Sequence, residues 1–320
     1  VLLNLLKNDN FFKEKYDGAD KADENDKIFY ENYISYNDIG EPFLKEKNDF
    51  IKKVKGLVSY YNVENDTSIF PRKKFQPNQE AEMSEYQYKQ WREARIKEKK
   101  QEEKEGDDFE FSKTRKISDF PIAASYKNRI NDSVKNLEKY SPKVNLLISN
   151  LEKKENNGKH SLYSFWKTNG INSIAAALRY NGWTEYSDLD FYKGKKRDKI
   201  LADISSFPDL DKSFTILHSE LTQQAEKMIL KGFNSEANSN GKKIKLILLD
   251  KKYREGISLQ AVKHAHIFEP QMTISELQQV IGRSVRTCSH KSLPYPKDWI
   301  VNIYQYYSVK KERIDGSTDA

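Results

Sequence analysis

Gln279-Val280-Ile281-Gly282-Arg283-Ser284-Val285-Arg286 ends a stretch, begun at Lys243, around which the rest of the chain is organised. Upstream, Ile244-Lys245-Leu246-Ile247-Leu248-Leu249-Asp250 is an apolar run of strand length without helical period, which predicts a strand buried on both faces. Next, Lys251-Lys252-Tyr253-Arg254-Glu255-Gly256-Ile257-Ser258-Leu259 places a glycine where backbone turns sharply or approaches a ligand, and Lys263 to Glu269 reads as a second strand. Thr273 with Glu276 has the spacing of a capping box, predicting a helix through Ile281. On that helix Gln279, Arg283 and Arg286 stand at i, i+4 and i+7 and share one face. Two arginines and a glutamine beside the carboxyl ends of buried strands suit an anionic ligand, because the guanidinium fork matches phosphate bidentately. Two helical arginines alone are more often solvated surface, so the ordered context decides the reading.

In that context, Q-x-x-G-R-x-x-R, preceded by strand, E-G-I-S-L turn and strand, resembles motifs V and VI of superfamily 2 helicases. The longer order, Arg254 to Leu259, His264-Ala265-His266-Ile267-Phe268-Glu269-Pro270, then Gln279 to Arg286, is most similar to the helicase-like nucleoside triphosphatases of large cytoplasmic DNA viruses. That group includes poxvirus nucleoside triphosphatase I and the small subunit of the poxvirus early transcription factor, with chromatin-remodelling ATPases more distant. The resemblance implies an α/β fold: a RecA-like lobe of parallel sheet and flanking helices over residues 141–309, preceded by a mostly helical and mixed linker region. Residues 1–91 would form an inter-lobe region of helices and strands, 92–140 a charged insertion and linker, and 310–320 a tail.

The same resemblance implies ATP and Mg2+ as cofactors. It gives Arg286 the place of an arginine finger on the γ-phosphate and Arg283 that of a second phosphate contact, while Gln279 orients phosphate or attacking water. Glu255, Gly256 and Gly282 fall to the nucleotide pocket, with Glu255 and Gly256 coupling it to the nucleic-acid track. Ser164, Lys167, His218 and Thr222 fall to the nucleic-acid face, and no residue to a metal. The partners implied are nucleic acid, DNA before RNA, and a viral RNA polymerase or transcription factor subunit.

Composition bounds this reading. A formal charge of +7 and a pI near 9.0 lean toward a polyanionic partner, although acidic and basic residues are both numerous and much of the charge is a mixed solvated surface. The single Cys288 excludes an intramolecular disulfide and fits a reducing compartment. With His290 it supplies too few ligands for a structural metal site. No apolar run is long enough to predict a membrane span. Val1-Leu2-Leu3-Asn4-Leu5-Leu6 has neither initiator methionine nor basic n-region and reads as an interior start. The expected location is a cytoplasmic viral factory and virion for a viral protein, and intracellular otherwise.

In chain order, residues 2–16 carry a helical pattern, and 17–27 a solvated loop whose Asp23-Glu24-Asn25-Asp26 lacks the preceding apolar strand that a magnesium-binding DExx box needs. Phe29 to Val54 is consistent with helices. Lys55 to Tyr61 and Ile69-Phe70-Pro71 predict a strand pair leading into a helix capped by Ser84, and a similar order stands between the two lobes in the viral family. Arg92 to Glu105 predicts an exposed helix or insertion rather than a nucleic-acid patch, since its charges nearly cancel. Thr114 to Pro121 resembles the viral S-R-x-x-x-N-F-x-x-P segment, with Thr114 for Ser and Asp119 for Asn. Pro142 suits the first turn of a helix through Leu151. Lys159 to Trp166 predicts a strand and Gly170 to Leu178 its helix, matching motif IV, with Phe165 and Trp166 equally suited to packing between them. Phe214 to His218 predicts a strand, Thr222 to Phe233 a helix with Thr222 as cap, and Trp299 to Tyr307 a last strand. His218 is more often a packed strand-end residue than a catalyst.

No G-x-x-x-x-G-K-[ST] occurs, nor a DExx box at a strand end, so the phosphate-cradling loop and the magnesium carboxylate are missing from this sequence. The expectation is therefore the second lobe of a longer ATP-dependent helicase or translocase, inactive by itself and lacking its first lobe. The alternative is a binding module, a degenerate RecA-like lobe on nucleic acid or transcription machinery that never hydrolyses ATP. Intact motif VI favours the motor, and the two part on whether a phosphate-binding loop stands upstream. An enzyme of another chemistry lacks a Ser/His/Asp set, a metal cluster and a dinucleotide loop.

Overall fold

The computed structural model describes residues 31, 33–36, 42–55, 67–105, 112–122, 127–186, 204 and 207–310. The helix expected over 2–16, the loop over 17–27, the strand beyond Lys55 and the tail beyond Lys310 lie outside them. The chain divides into two compact units, Val1–Val63 and Glu64–Ala320.

In the first unit, β1 (Ile34–Tyr36) pairs antiparallel with β2 (Pro42–Leu44), and helix α1 (Lys47–Val54) follows. Tyr33 meets Phe50 edge-on at 5.5 Å between ring centres. The helices expected over Phe29 to Val54 are present at Glu31, Tyr33 and Lys47–Val54, whereas Ile34–Tyr36 and Pro42–Leu44 are strands, where aromatic and branched residues gain from cross-strand contact.

The second unit is built on one sheet, with strand order β3-β10-β9-β5-β8-β7-β6 and β4 also paired to β10. Its strands are β3 (Arg72–Phe75), β4 (Gln79–Glu82), β5 (Lys159–Tyr163), β6 (Thr184–Glu185), β7 (Ser213–Leu217), β8 (Leu246–Leu249), β9 (Val262–Ile267) and β10 (Ile300–Val309). Every pairing within it is parallel. This is what the apolar run at Leu246–Leu249 dictates: with helices on both faces, a central strand has no side to turn to water. The proline of Ile69-Phe70-Pro71 stays outside the ladder, and the strands begin just after it; they pair with β10 rather than with each other.

Helix α2 (Glu85–Glu105) runs unbroken through residue 92 and is capped by Ser84, whose hydroxyl accepts from the Gln87 amide at 3.0 Å. Helices α3 (Ser112–Asp119), α4 (Lys127–Ser133), α5 (Leu137–Tyr140) and α6 (Pro142–Glu152) follow, the last with Ser141 as cap and Pro142 in its first turn. After β5 a single π-helical stretch, Lys167–Asn172, leads into α7 (Ser173–Tyr180); α8 (Gln223–Asn234) follows β7, and α9 (Ile274–Ile281) follows β9. One apolar core joins α8 and α9 to the sheet through Phe233, Leu249, Ile267 and Ile281. A second, on Leu147, Leu162, Leu178 and Phe268, joins α6 and α7. The two layers leave the carboxyl ends of β5, β7, β8 and β9 as one edge, where Ser164, His218, Asp250 and Glu269 follow their strands.

Candidate phosphate and nucleic-acid sites

The arginine site forms where α9 stops. Thr273 caps the helix by accepting from the Glu276 amide at 3.1 Å, as its spacing predicts, while the Glu276 carboxylate reaches the Met272 amide at 3.1 Å and the Arg254 guanidinium. The helix ends at Ile281 with Gly282 as its cap, so Arg283 and Arg286 lie in the turns beyond it and do not extend a helical face. The reason is local: the amides of Arg283 and Ser284 bond to Val280 and Ile281 three residues back, which overwinds the chain. A Cβ at Gly282 would stand 3.1 Å from the Gln278 carbonyl oxygen, a tight contact that glycine avoids.

The arginines converge nevertheless, held by carbonyl oxygens. Arg283 donates from Nε to Gln279 at 3.0 Å and from Nη1 to Ile257 at 3.1 Å, and Arg286 donates from Nε to Gly282 at 3.1 Å. The Leu259 amide returns a bond to the Arg283 carbonyl at 3.0 Å, so the E-G-I-S-L turn and the arginine turn are laced together. Burial lowers the Arg283 pKa, the like charge of Arg286 lowers it further, and Glu255 opposes both. Gly256 sits at φ +84°, a conformation side-chain residues rarely adopt, so that position is glycine for backbone reasons. Gln279 is half-buried on the last turn of α9, its carbonyl already engaged by Arg283.

The second site lies at the carboxyl edge of the sheet. Ser164 and Thr222 have their hydroxyls committed. Ser164 is fully buried and donates to the Glu269 carboxylate, whose other oxygen accepts from the Phe165 amide at 3.0 Å. It is therefore a strut at the end of β5 and not an exposed nucleic-acid contact, which corrects its expected place. Gly170 packs on it so closely that a Cβ would overlap the Ser164 hydroxyl. Thr222 caps α8 by accepting from the Ala225 amide at 3.2 Å. Lys167 is paired with Glu220, and His218 lies beside them with its pKa lowered by burial and then by Lys167.

Glu269 belongs to a buried charge cluster that sequence reasoning passed over. Lys143, from α6, bridges to Asp119, at the end of α3, and stands 4.4 Å from the centre of the Phe268 ring. Burial pushes Glu269 well above the usual carboxyl range and Asp119 pushes it further, while Lys143 pulls it down; burial likewise raises Asp119 against the pull of Lys143. One lysine faces two dry carboxylates, and burial favours the neutral form of each. The available signal was a carboxylate at a strand end in H-I-F-E-P, and Asp119 in place of an amide. Among the described residues no group of three or more His, Cys, Asp or Glu side chains is placed to hold a metal ion.

Comparison with known proteins is consistent with this geometry. Residues 142–288 match the helicase conserved C-terminal domain. Two proteins of Acanthamoeba polyphaga mimivirus, provisionally named ATP-dependent RNA helicases, are similar: one is 41% identical over 98 residues, 31% of this chain and 12% of its own length, and the other 27% identical over 291 residues, 86% of this chain and 47% of its own. The early transcription factor large subunit homolog of African swine fever virus is 34% identical over 136 residues, 42% of this chain and 10% of its own length. The relative so found carries the name of the large subunit of such a factor, where the sequence pointed to the small one. The chain thus spans less than half the length of these relatives. By motif order, parallel sheet and this match, residues 142–288 carry the helicase conserved C-terminal domain, the C-terminal lobe of superfamily 2 helicases, and the similar proteins include viral helicase-like ones.

Proposed function

We propose that this chain is the second motor lobe of an ATP-dependent nucleic-acid helicase or translocase, serving transcription in a large DNA virus. The observation that carries the proposal is the convergence of Arg283 and Arg286 at the end of α9, laced to the Glu255–Gly256 turn by the Arg283–Ile257 contact at 3.1 Å. Two like charges held side by side by backbone carbonyls demand an anion. ATP, bound with Mg2+ against a first lobe, supplies the transferable phosphoryl group. Arg286 is the arginine finger on its γ-phosphate, Arg283 a second phosphate contact, and Gln279 orients phosphate or water. The donor set fits the phosphates and not the metal, because Asp250 spends its carboxylate on the amides of Ser219 and Lys252, and Glu269 on Ser164 and Phe165.

The segment from Asp250 to Ile257 links the arginines to the nucleic-acid face, since Lys251 starts it at the carboxyl edge of β8 and Ile257 ends it on Arg283. Glu255 and Gly256 in its middle are the coupling element, and Lys167 and His218 belong to the face it reaches. DNA is the preferred track, with RNA next. The test is nucleic-acid-stimulated ATP hydrolysis by the longest natural protein containing this chain, beside its Arg286→Ala variant. Stimulated hydrolysis that the variant loses supports the motor. Nucleic-acid binding without hydrolysis by the unaltered protein would replace it with a non-hydrolysing binding module.

A further inference from the structure

At the carboxyl edge of β5 and β8, cations from separate parts of the chain gather over two aromatic rings. Arg115 Cζ lies 5.4 Å from the centre of the Phe165 ring and 5.6 Å from that of Trp166. Lys116 Nζ stands 4.6 Å from the Trp166 ring and Lys251 Nζ 5.3 Å from the Phe165 ring. Between Lys116 and Lys251 opens a cavity of about 390 Å³ whose lining includes Phe165, Trp166, Lys167 and Ser219, while Arg115 approaches the same two rings without lining it. Asp250 also lines it, bonded to two backbone amides, and with Lys167 paired to Glu220 the lining of Lys116, Lys167 and Lys251 still outweighs that one carboxylate.

Helix α3, which carries Arg115 and Lys116, is over-determined in position. Its amino end is capped by buried Glu98, which accepts from the amides of Lys113 at 2.6 Å and Thr114 at 3.2 Å. Each of the last carbonyls receives a side-chain donor from a different element: Ile117 from Gln87, Ser118 from Ser308, Asp119 from Ser141, and Phe120 from Asn169. The Asp119–Lys143 bridge fastens it to α6. A helix of 8 residues is marginal by itself, so these contacts hold the helix in place and, with it, the two cations it carries to the strand end. An aromatic face under a cation holds it in place while leaving its N–H groups pointing outward, and half-buried rings reduce the water that competes for it.

We propose that Arg115, Lys116 and Lys251, seated on Phe165 and Trp166, form a binding site for the phosphodiester backbone of a nucleic-acid strand. This site rests on the motor reading above and adds to its nucleic-acid face two cations from outside the β-strand loops. The ligand is a backbone and not a base, because the ring faces are already covered by cations.

The experiment measures affinity of the full chain for a fluorescein-labelled oligodeoxynucleotide, single-stranded and duplex, over a series of salt concentrations. The variants are Lys116→Gln with Lys251→Gln, Arg115→Gln, and Lys153→Gln as a charge control from an exposed position before β5. Each phosphate contact contributes about 0.7 to 0.9 to the slope of log affinity against log salt. The double variant is expected to lower the slope by roughly 1.5 and the affinity at least tenfold, with Arg115→Gln moving both in the same direction and Lys153→Gln changing neither. A slope unchanged in the double variant, while unaltered protein still binds, overturns this site and leaves the motor reading standing. Failure of the unaltered protein to bind either oligonucleotide overturns both. Competition by inorganic phosphate as effective as that by oligonucleotide, at matched ionic strength, overturns the backbone assignment in favour of a small-anion site.

Discussion

Two groups of charges at the carboxyl edge of the sheet are built on opposite plans. Asp119, Lys143 and Glu269 are almost wholly buried, of mixed sign, and answered by one another and by Ser164 and the Phe165 amide. Arg283 and Arg286 are half-buried, of one sign, and tied only part-way by carbonyl oxygens. The first group is closed to solvent and positions elements; the second retains an electrostatic demand that Glu255 meets only in part. Charge alone does not mark a site. What marks it is charge left unanswered where solvent or ligand can enter.

That contrast predicts which substitutions cost function and which cost stability. Arg286→Ala in the intact protein should lower nucleic-acid-stimulated ATPase turnover about a thousandfold or more, with urea unfolding shifted by no more than about 0.5 kcal/mol. A variant that unfolds early would move Arg286 to the structural plan. Lys143→Met should do the reverse, removing about 3 to 5 kcal/mol of stability by leaving two buried carboxyls without their cation. Equilibrium unfolding reads this directly, and a shift below about 1 kcal/mol would mean that water already solvates the cluster.

A third test uses pH. His160, His264 and His266 stack in the sheet beneath Tyr304, with His160 Nδ1 hydrogen-bonded to His266 Nε2 at 3.0 Å and His266 Nδ1 to the Tyr306 hydroxyl at 2.9 Å. Burial holds all three below their ordinary pKa, His264 at about 4. The unfolded chain takes up these protons first as pH falls, so stability should decline from about pH 6.5 and, for the His264 share, level off below pH 4. The His264 share of the loss should be roughly 3 kcal/mol between neutral pH and the lower end of that window, with His160 and His266 adding to it, and a flat profile would show the stack to be hydrated. The smallest effect belongs to Gly256→Ala, expected to cost roughly 1 kcal/mol for its left-handed backbone and to be visible in thermal unfolding. Loss of stimulated turnover beyond that stability change would assign the turn to coupling.

Much of the lobe was legible because its signals are local. A run such as Leu246–Leu249 has the same meaning wherever it stands, and Ser84, Thr222 and Thr273 cap their helices as the sequence predicts. The arginine site was legible as residues but not as geometry: the i, i+4, i+7 argument assumes a helix that Gly282 ends at Ile281. Ser164 was misplaced because a strand-end hydroxyl looks the same in sequence whether it meets solvent or a buried carboxylate.

The sequence by itself determined the strand buried on both faces, the helix caps and the two arginines, since each depends on neighbours within a few turns of chain, while the parallel sheet was implied by the family resemblance. Only the tertiary structure decided that Asp119, Lys143 and Glu269 share one dry pocket, and that Arg115, Lys116 and Lys251 crown Phe165 and Trp166. The physical reason is range. Periodicity and capping act through the backbone over a few residues, whereas burial and charge balance are set by which distant segments the fold brings within a few ångströms of each other.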